Sequence, residues 1–174
     1  AIVDNTHNLD PVMNSIVEFL RQNPSTIFEF FGPAPIPGVF LEFGERVRHA
    51  PKIDDYERFL NALAGRRWDI GICPLADLPF NLLKANTKWV EYTAVGAAVI
   101  ASQGTVYDSS CAGECGILAQ SPEYWLQALS RLTRHPELRQ KMVMRAQERL
   151  STEYAPARLL EQVRTVFSQS QNLL

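Results

Sequence analysis

The chain has 174 residues, 46% hydrophobic and 21% charged, with a net charge of −2. That length holds one domain with a full core and is marginal for two. The near-neutral charge gives no electrostatic case for nucleic acid or an anionic membrane surface, and no apolar run approaches the roughly 18–20 residues that span a bilayer.

The start, AIVDNTHNLD, has no basic region followed by an apolar one, so it does not read as a signal peptide. It opens on an apolar triplet without an initiator Met, which leads us to expect a fragment of a longer protein. AIV is the remainder of a strand. LDPVMNSIVEFLRQNP reads as a helix capped by Asp10, with Pro11 in its first position and Val12, Ile16, Phe19 and Leu20 on one face. Pro24 ends it, and TIFEFFG is a short buried strand closed by glycine. PAPIPG is a loop, ERVRHAP a strand ended by Pro51, and DYERFLNALAGRR a helix capped by Asp54 or Asp55. WDIGICPL is a strand, ADLPFNLLKAN a loop, and TKWVEYTAV a helix stopped by Gly96. AAVIAS and CGILAQ are strands. The rest, PEYWLQALSRLTR, PELRQKMVMRAQERLS and ARLLEQVRTVFSQSQ, is helical. The last of these offers Leu159, Leu160, Val163, Val166 and Phe167 for packing.

Strand and helix alternate, and the strands are apolar throughout. That predicts an α/β fold, a doubly wound parallel sheet of about six strands with a helical C-terminal extension. Such sheets bind ligands at the carboxyl ends of their strands. The segments to watch are therefore 5–8, 32–38, 51–54 and 77–88.

Three cysteines make a disulfide framework improbable on parity. Cys111 and Cys115 form a C-x3-C pair, but His7, His49 and His135 are scattered, so no metal site is expected. Cys73 reads as a core residue.

Lys84 and Lys88 sit close to a helix start, where the backbone already favours an anion. Asn86 or Thr87 caps that helix. If it extends back to Lys84, then Lys84, Lys88 and Glu91 share one face, opposite Val90 and Ala94. Two readings stay open: a solvated face with a weak Lys88–Glu91 pair, or a site for a diphosphate with Glu91 accepting from sugar hydroxyls.

FNLLKANTKWVEYTAVGAAVIAS resembles the C-terminal donor-binding domain of GT-B glycosyltransferases, in a bacterial branch with F-N-x-x-K-S/A-x-x-K-x-x-E-Y-x-A-x-G-x-x-V-I-A-S. THNLDPVMNSIVEFLRQNPSTIFEFFGPAP is similar to that family's first βαβ unit, and RVRHAPKIDDYERFLNAL to its third strand and helix. The segment SPEYWLQALSRLTRHPELRQKMVMRAQERLSTEYA resembles its closing helices. The resemblance implies that residues 1–174 are a single Rossmann-like nucleotide-sugar-binding domain, with 120–174 as the helical tail. It implies an N-terminal acceptor domain outside this chain. Glu91 matches the second glutamate of the family's E-x7-E motif, which binds the nucleotide's ribose. The first would fall at Leu83, and the motif's glycine-rich loop at Lys84 to Thr87, where no glycine stands.

The implied function is transfer of a sugar from a nucleotide-activated donor to an acceptor hydroxyl in glycan or glycoconjugate assembly. Lys84, Lys88 and the N–H groups near Asn86 and Thr87 would stabilise the departing diphosphate. No D-x-D motif is present and no cofactor is implied, the nucleotide-diphosphate sugar being a substrate. His7 is a donor contact or a surface or capping residue, and Tyr107 is a candidate for lining the cleft. Trp89 and Tyr92 read as core. Catalytic residues stay unassigned, and the fragment alone is expected to be inactive. A cytoplasmic setting is implied, with membrane association only through the missing part. The alternatives are a non-catalytic glycosyltransferase-like interaction module and a sugar-nucleotide epimerase.

Overall fold

The structure is a computed structural model. It describes residues 6–171, apart from the side chains of Thr6, His7, Val166, Phe167 and residues 169–171. The triplet AIV lies outside the described residues. Five strands are described: β1 (Phe28–Phe31), β2 (Val47–Ala50), β3 (Ile70–Cys73), β4 (Ala98–Ser102) and β5 (Ile117–Ala119). All pairings are parallel. They form a two-stranded sheet, β1-β2, and a three-stranded sheet in the order β3-β4-β5.

The helices are α1 (Thr6–Gln22), α2 (Tyr56–Arg66), α3 (Thr87–Ala94), α4 (Asp108–Cys111), α5 (Pro122–Arg134), α6 (Pro136–Glu153) and α7 (Pro156–Gln171). Neighbouring strand residues face opposite ways, and each face has its own apolar cluster. Phe30, Ile72, Ala98 and Ile100 join α1 and α5 in one cluster. Phe31, Cys73, Val99 and Ala101 join residues of α2, α3 and α6 in the other. Apolar clusters thus cover both faces of β3 and β4, which read as continuous apolar runs, whereas β2 keeps Arg48 and His49 exposed.

Several boundaries differ from the sequence reading. Helix α1 starts at Thr6, not at an Asp10 cap, and Pro11 lies inside it. Proline's fixed φ suits a helix, and near a helix start its missing N–H forfeits little. A 3-10 segment, Gly38–Arg46, and the short α4 lie where no element was expected. Asp108 nucleates α4 by accepting the N–H groups of Gly104 and Thr105. Asp55, rather than Asp54, caps α2 through the N–H of Arg58 at 2.8 Å. Gly96 ends α3 at φ 82°, in the left-handed region that glycine adopts without strain. On α7, Leu159, Leu160 and Val163 are 41%, 51% and 50% exposed, so no described part of the chain covers that face.

Gly71, in β3, lies against the ring of buried Tyr92 from α3, and a Cβ built there would overlap that ring. Gly71→Ala is expected to destabilise the fold by about 1–3 kcal/mol through overpacking. A urea unfolding curve measures it, and an unchanged midpoint would mean that the ring can shift freely.

Candidate functional site

A cavity of about 440 Å³ opens where β1, β2 and β3 end. Gly32 and Pro33 follow β1, Lys52 to Asp54 follow β2, Leu75 follows β3, and Tyr107 follows β4. The cavity therefore joins the two sheets at the carboxyl ends of their strands. Lys84, Thr87, Lys88 and Glu91 form its α3 side. Five of the candidate residues thus meet on one cavity. Asn86 does not line it, and the side chain of His7 lies outside the described residues.

The loop between β3 and α3 is held from inside. The Asn81 side chain is buried and donates to Asn8 Oδ1 at 2.9 Å and to the Ala76 carbonyl at 2.8 Å. Asn8 also accepts the Ala76 N–H at 3.2 Å. With Asn81 inward, Phe80, Leu82 and Leu83 point to solvent in a 3-10 turn, Pro79–Leu83. Lys84 then has extended backbone, with ψ 155°. It is not on α3, so the shared helical face expected for Lys84, Lys88 and Glu91 is corrected. The loop brings Lys84 to the cavity by another route. Its ammonium lies 5.6 Å from the Phe80 ring centroid.

Helix α3 begins without a side-chain cap. Asn86 occupies the capping position, but its amide instead donates to Ser110 Oγ at 2.6 Å and to the Tyr154 hydroxyl. The N–H groups at the first turn of a helix lack intrahelical partners and carry positive potential. Lys88 adds a full charge in that turn, and among the described residues neither lysine is in an ion pair. The cavity thus has a cationic end.

Its lining also includes Phe31, Pro33, Ile53, Tyr56 and Phe59, with the Lys52–Asp54 ion pair beside them. Glu91 lines the same cavity. It is only 6% exposed, and after partial burial its negative charge helps hold the Tyr56 phenol above its ordinary pKa. The buried face of α3 carries Trp89, Glu91, Tyr92 and Thr93, whereas Ala94, assigned to it from the sequence, is exposed.

Burial, aided by nearby Cys73, holds the Tyr107 phenol above its ordinary pKa, so it stays neutral. Burial likewise raises Cys73, and pushes Cys111 up to about 12 with help from Asp108 and Cys115. Neither thiol is a thiolate at neutral pH, which removes both as nucleophiles. No group of three or more metal-ligating side chains occurs among the described residues. No described helix is long and apolar enough to cross a membrane.

Sequence reasoning missed Tyr56, Phe59 and the Asn8–Asn81 anchor. Lys52 to Asp54 fell in a segment marked only for its position after a strand. Tyr56 was absorbed into a helix, although an aromatic directly after a cap, at the head of a strand-following helix, faces the ligand end of such a sheet.

The site joins a cationic helix start, a buried carboxylate and aromatic side chains in a parallel α/β fold. The sequence profile of the glycosyl transferase-like family matches residues 14–165, and the chain belongs to that family. No curated protein matches it. Among solved structures, it is similar to the C-terminal domain of a glycosyl transferase group 1 family protein, LpcC, from Francisella tularensis. That match has a TM-score of 0.67 and 17% identity, covering 88% of this chain and 82% of the other. Sucrose-phosphate synthase from Thermosynechococcus elongatus matches with a TM-score of 0.70 and 19% identity, over 94% of this chain and 43% of that one. Anabaena Alr3699/HepE, solved with UDP and glucose, matches with a TM-score of 0.68 and 13% identity, over 91% and 44%. At these identities the likeness is one of fold, that of the C-terminal half of GT-B glycosyltransferases. The chain spans under half the length of the latter two.

Proposed function

We propose that this chain is the donor-binding domain of a glycosyltransferase that moves a sugar from a nucleotide-sugar to an acceptor hydroxyl. The observation that carries this reading is the single cavity that brings together Lys84, the start of α3 with Lys88, the Glu91 carboxylate and aromatic side chains. The diphosphate sits against the α3 start, with Lys84 and Lys88 beside it. The ribose hydroxyls donate to Glu91, and the base lies against the aromatic side chains. As the sugar–phosphate bond breaks, negative charge grows on the leaving diphosphate. Fixed ammonium groups and helix N–H groups stabilise that charge without reorganising. The acceptor and any catalytic base belong to a second domain, whose counterpart in the longer relatives accounts for the length this chain does not span.

Calorimetric titration with uridine and guanosine diphosphates, their sugars and inorganic pyrophosphate tests this. At least one nucleotide should bind more tightly than pyrophosphate. Glu91→Ala should weaken nucleotide binding by about 1.5–3 kcal/mol, as for a hydrogen bond to a charged group, and leave pyrophosphate nearly unaffected. Failure of every nucleotide to bind at millimolar concentration would overturn the reading.

A further inference from the structure

Asn81 closes the turn between β3 and α3 with its backbone and holds it down with its side chain. Its N–H donates to the Leu78 carbonyl at 2.8 Å, and its carbonyl accepts the Lys84 N–H at 3.4 Å. Its side-chain nitrogen donates inward twice, to Asn8 Oδ1 and to the Ala76 carbonyl. Asn8 stands in the first turn of α1, 73 residues away in sequence. The same Asn8 oxygen takes the Ala76 N–H. Backbone groups fix the orientation of both amides. The Ala76 N–H must meet an oxygen, which sets Asn8, and the Ala76 carbonyl must meet a donor, which sets Asn81. The result is a closed clamp joining α1, the residues after β3 and the turn.

The clamp works against the apolar side chains of that turn. Phe80, Leu82 and Leu83 are 71%, 59% and 85% exposed. Burying them would be favourable, so a turn free to roll over would carry them inward and Asn81 outward. The roll would leave Ala76 and Asn8 without partners in a buried place, and that loss opposes it. Lys84 belongs to the same unit. It ends the turn, and its ammonium stands over the Phe80 ring. Ring and ammonium therefore move together, and the position of the turn decides whether Lys84 lines the cavity. A lysine on a fixed turn also gives up less freedom when an anion arrives.

We propose that Asn8 and Asn81 are positioning residues for the diphosphate, acting through Lys84: their buried amide pair ties the turn to α1 and keeps the Lys84 ammonium at the cavity. This rests on the donor-site reading above. It adds that Asn8, a residue of α1 that does not line the cavity, sets part of the affinity for the diphosphate.

The test is a double-mutant cycle read by calorimetry with uridine diphosphate and guanosine diphosphate. It compares the 174-residue chain, Asn81→Ala, Lys84→Ala and the double variant. Asn81→Ala removes both side-chain bonds and leaves Asn8 bonded to the Ala76 N–H. For a diphosphate that the unsubstituted chain binds, Asn81→Ala should weaken binding by about 3- to 10-fold, part of the worth of a charge-assisted hydrogen bond. With Lys84 already alanine, the same change should cost less than about twofold, because the charge it positions is gone. Asn8→Ala, which cuts the clamp from the α1 side, should repeat both results. Urea unfolding of each chain reports its fold.

Three results overturn the proposal. Unchanged affinity in Asn81→Ala would show that the turn keeps its place without the clamp. A loss of equal size in the Lys84→Ala background would show that the amides do not act through Lys84. If Asn81→Ala does not fold, Asn8→Ala takes its place in the cycle, and loss of fold in both would make the pair structural alone. If instead the unsubstituted chain binds neither diphosphate, the donor-site reading falls first and the clamp's role with it.

Discussion

Replacing Trp89 by alanine should lower the free energy of unfolding by about 3–5 kcal/mol, the usual cost of removing a large aromatic from a core. Trp89 is fully buried in the first turns of α3. Its indole N–H donates to the Cys115 carbonyl at 3.0 Å, tying α3 to the segment that leads into β5. Its ring also packs against Tyr154, just past α6, at 6.2 Å. The alanine variant leaves a cavity and a buried carbonyl without its donor, and both effects act in the same direction. Against a total stability of about 5–15 kcal/mol, this is a large fraction. In urea, the midpoint should fall with little change in slope. Trp89→Phe keeps much of the ring and loses the hydrogen bond, so its loss should be smaller, about 1–3 kcal/mol. Equal midpoints for Trp89→Ala and the parent chain would mean that α3 is not anchored through this residue.

The elements most legible in the sequence were those with local start and stop signals. Asp55 before α2, Ser121 and Pro122 at α5, Pro136 at α6 and Gly96 after α3 all act within a few residues of where they stand. Strands β3 and β4 were legible as apolar runs because both of their faces are covered. The start of α1 was not, because its first turn is engaged at long range: Asn8 meets Ala76 and Asn81 across the sheet end. The site was legible in part for the same reason. The spacing of Lys88 and Glu91 places both on one helix. Lys84 reaches the cavity through a turn set by the buried Asn81, and no helical periodicity encodes that. Asn86 reads as a cap by residue type, yet Ser110 and Tyr154 divert it. That diversion leaves the N–H groups of the α3 start to whatever enters the cavity.

Lys88→Ala should weaken nucleoside diphosphate binding by about 1.5–3 kcal/mol, roughly 10- to 150-fold, the loss of a charge-assisted hydrogen bond in a partly enclosed site. Lys88 stands in the first turn of a helix that has no side-chain cap, so on the proposed reading its ammonium and the N–H groups of that turn would act on the same anion. The effect on folding should be small and of the opposite sign. A cation at a helix start is unfavourable by about 0.3–1 kcal/mol at an exposed end, so alanine should leave the urea midpoint unchanged or slightly raised. Lys84→Ala should lose less affinity, because the Lys84 ammonium is already engaged with the Phe80 ring and stands on a loop rather than on the helix. Raising the salt concentration should reduce the difference between the parent chain and Lys88→Ala, since charges in a partly enclosed site that solvent reaches are still partly screened. Calorimetry with uridine and guanosine diphosphates, alongside urea unfolding of the same samples, separates the two roles. A Lys88→Ala chain that unfolds more readily while keeping its diphosphate affinity would make the lysine a structural residue and remove the cationic end from the donor site.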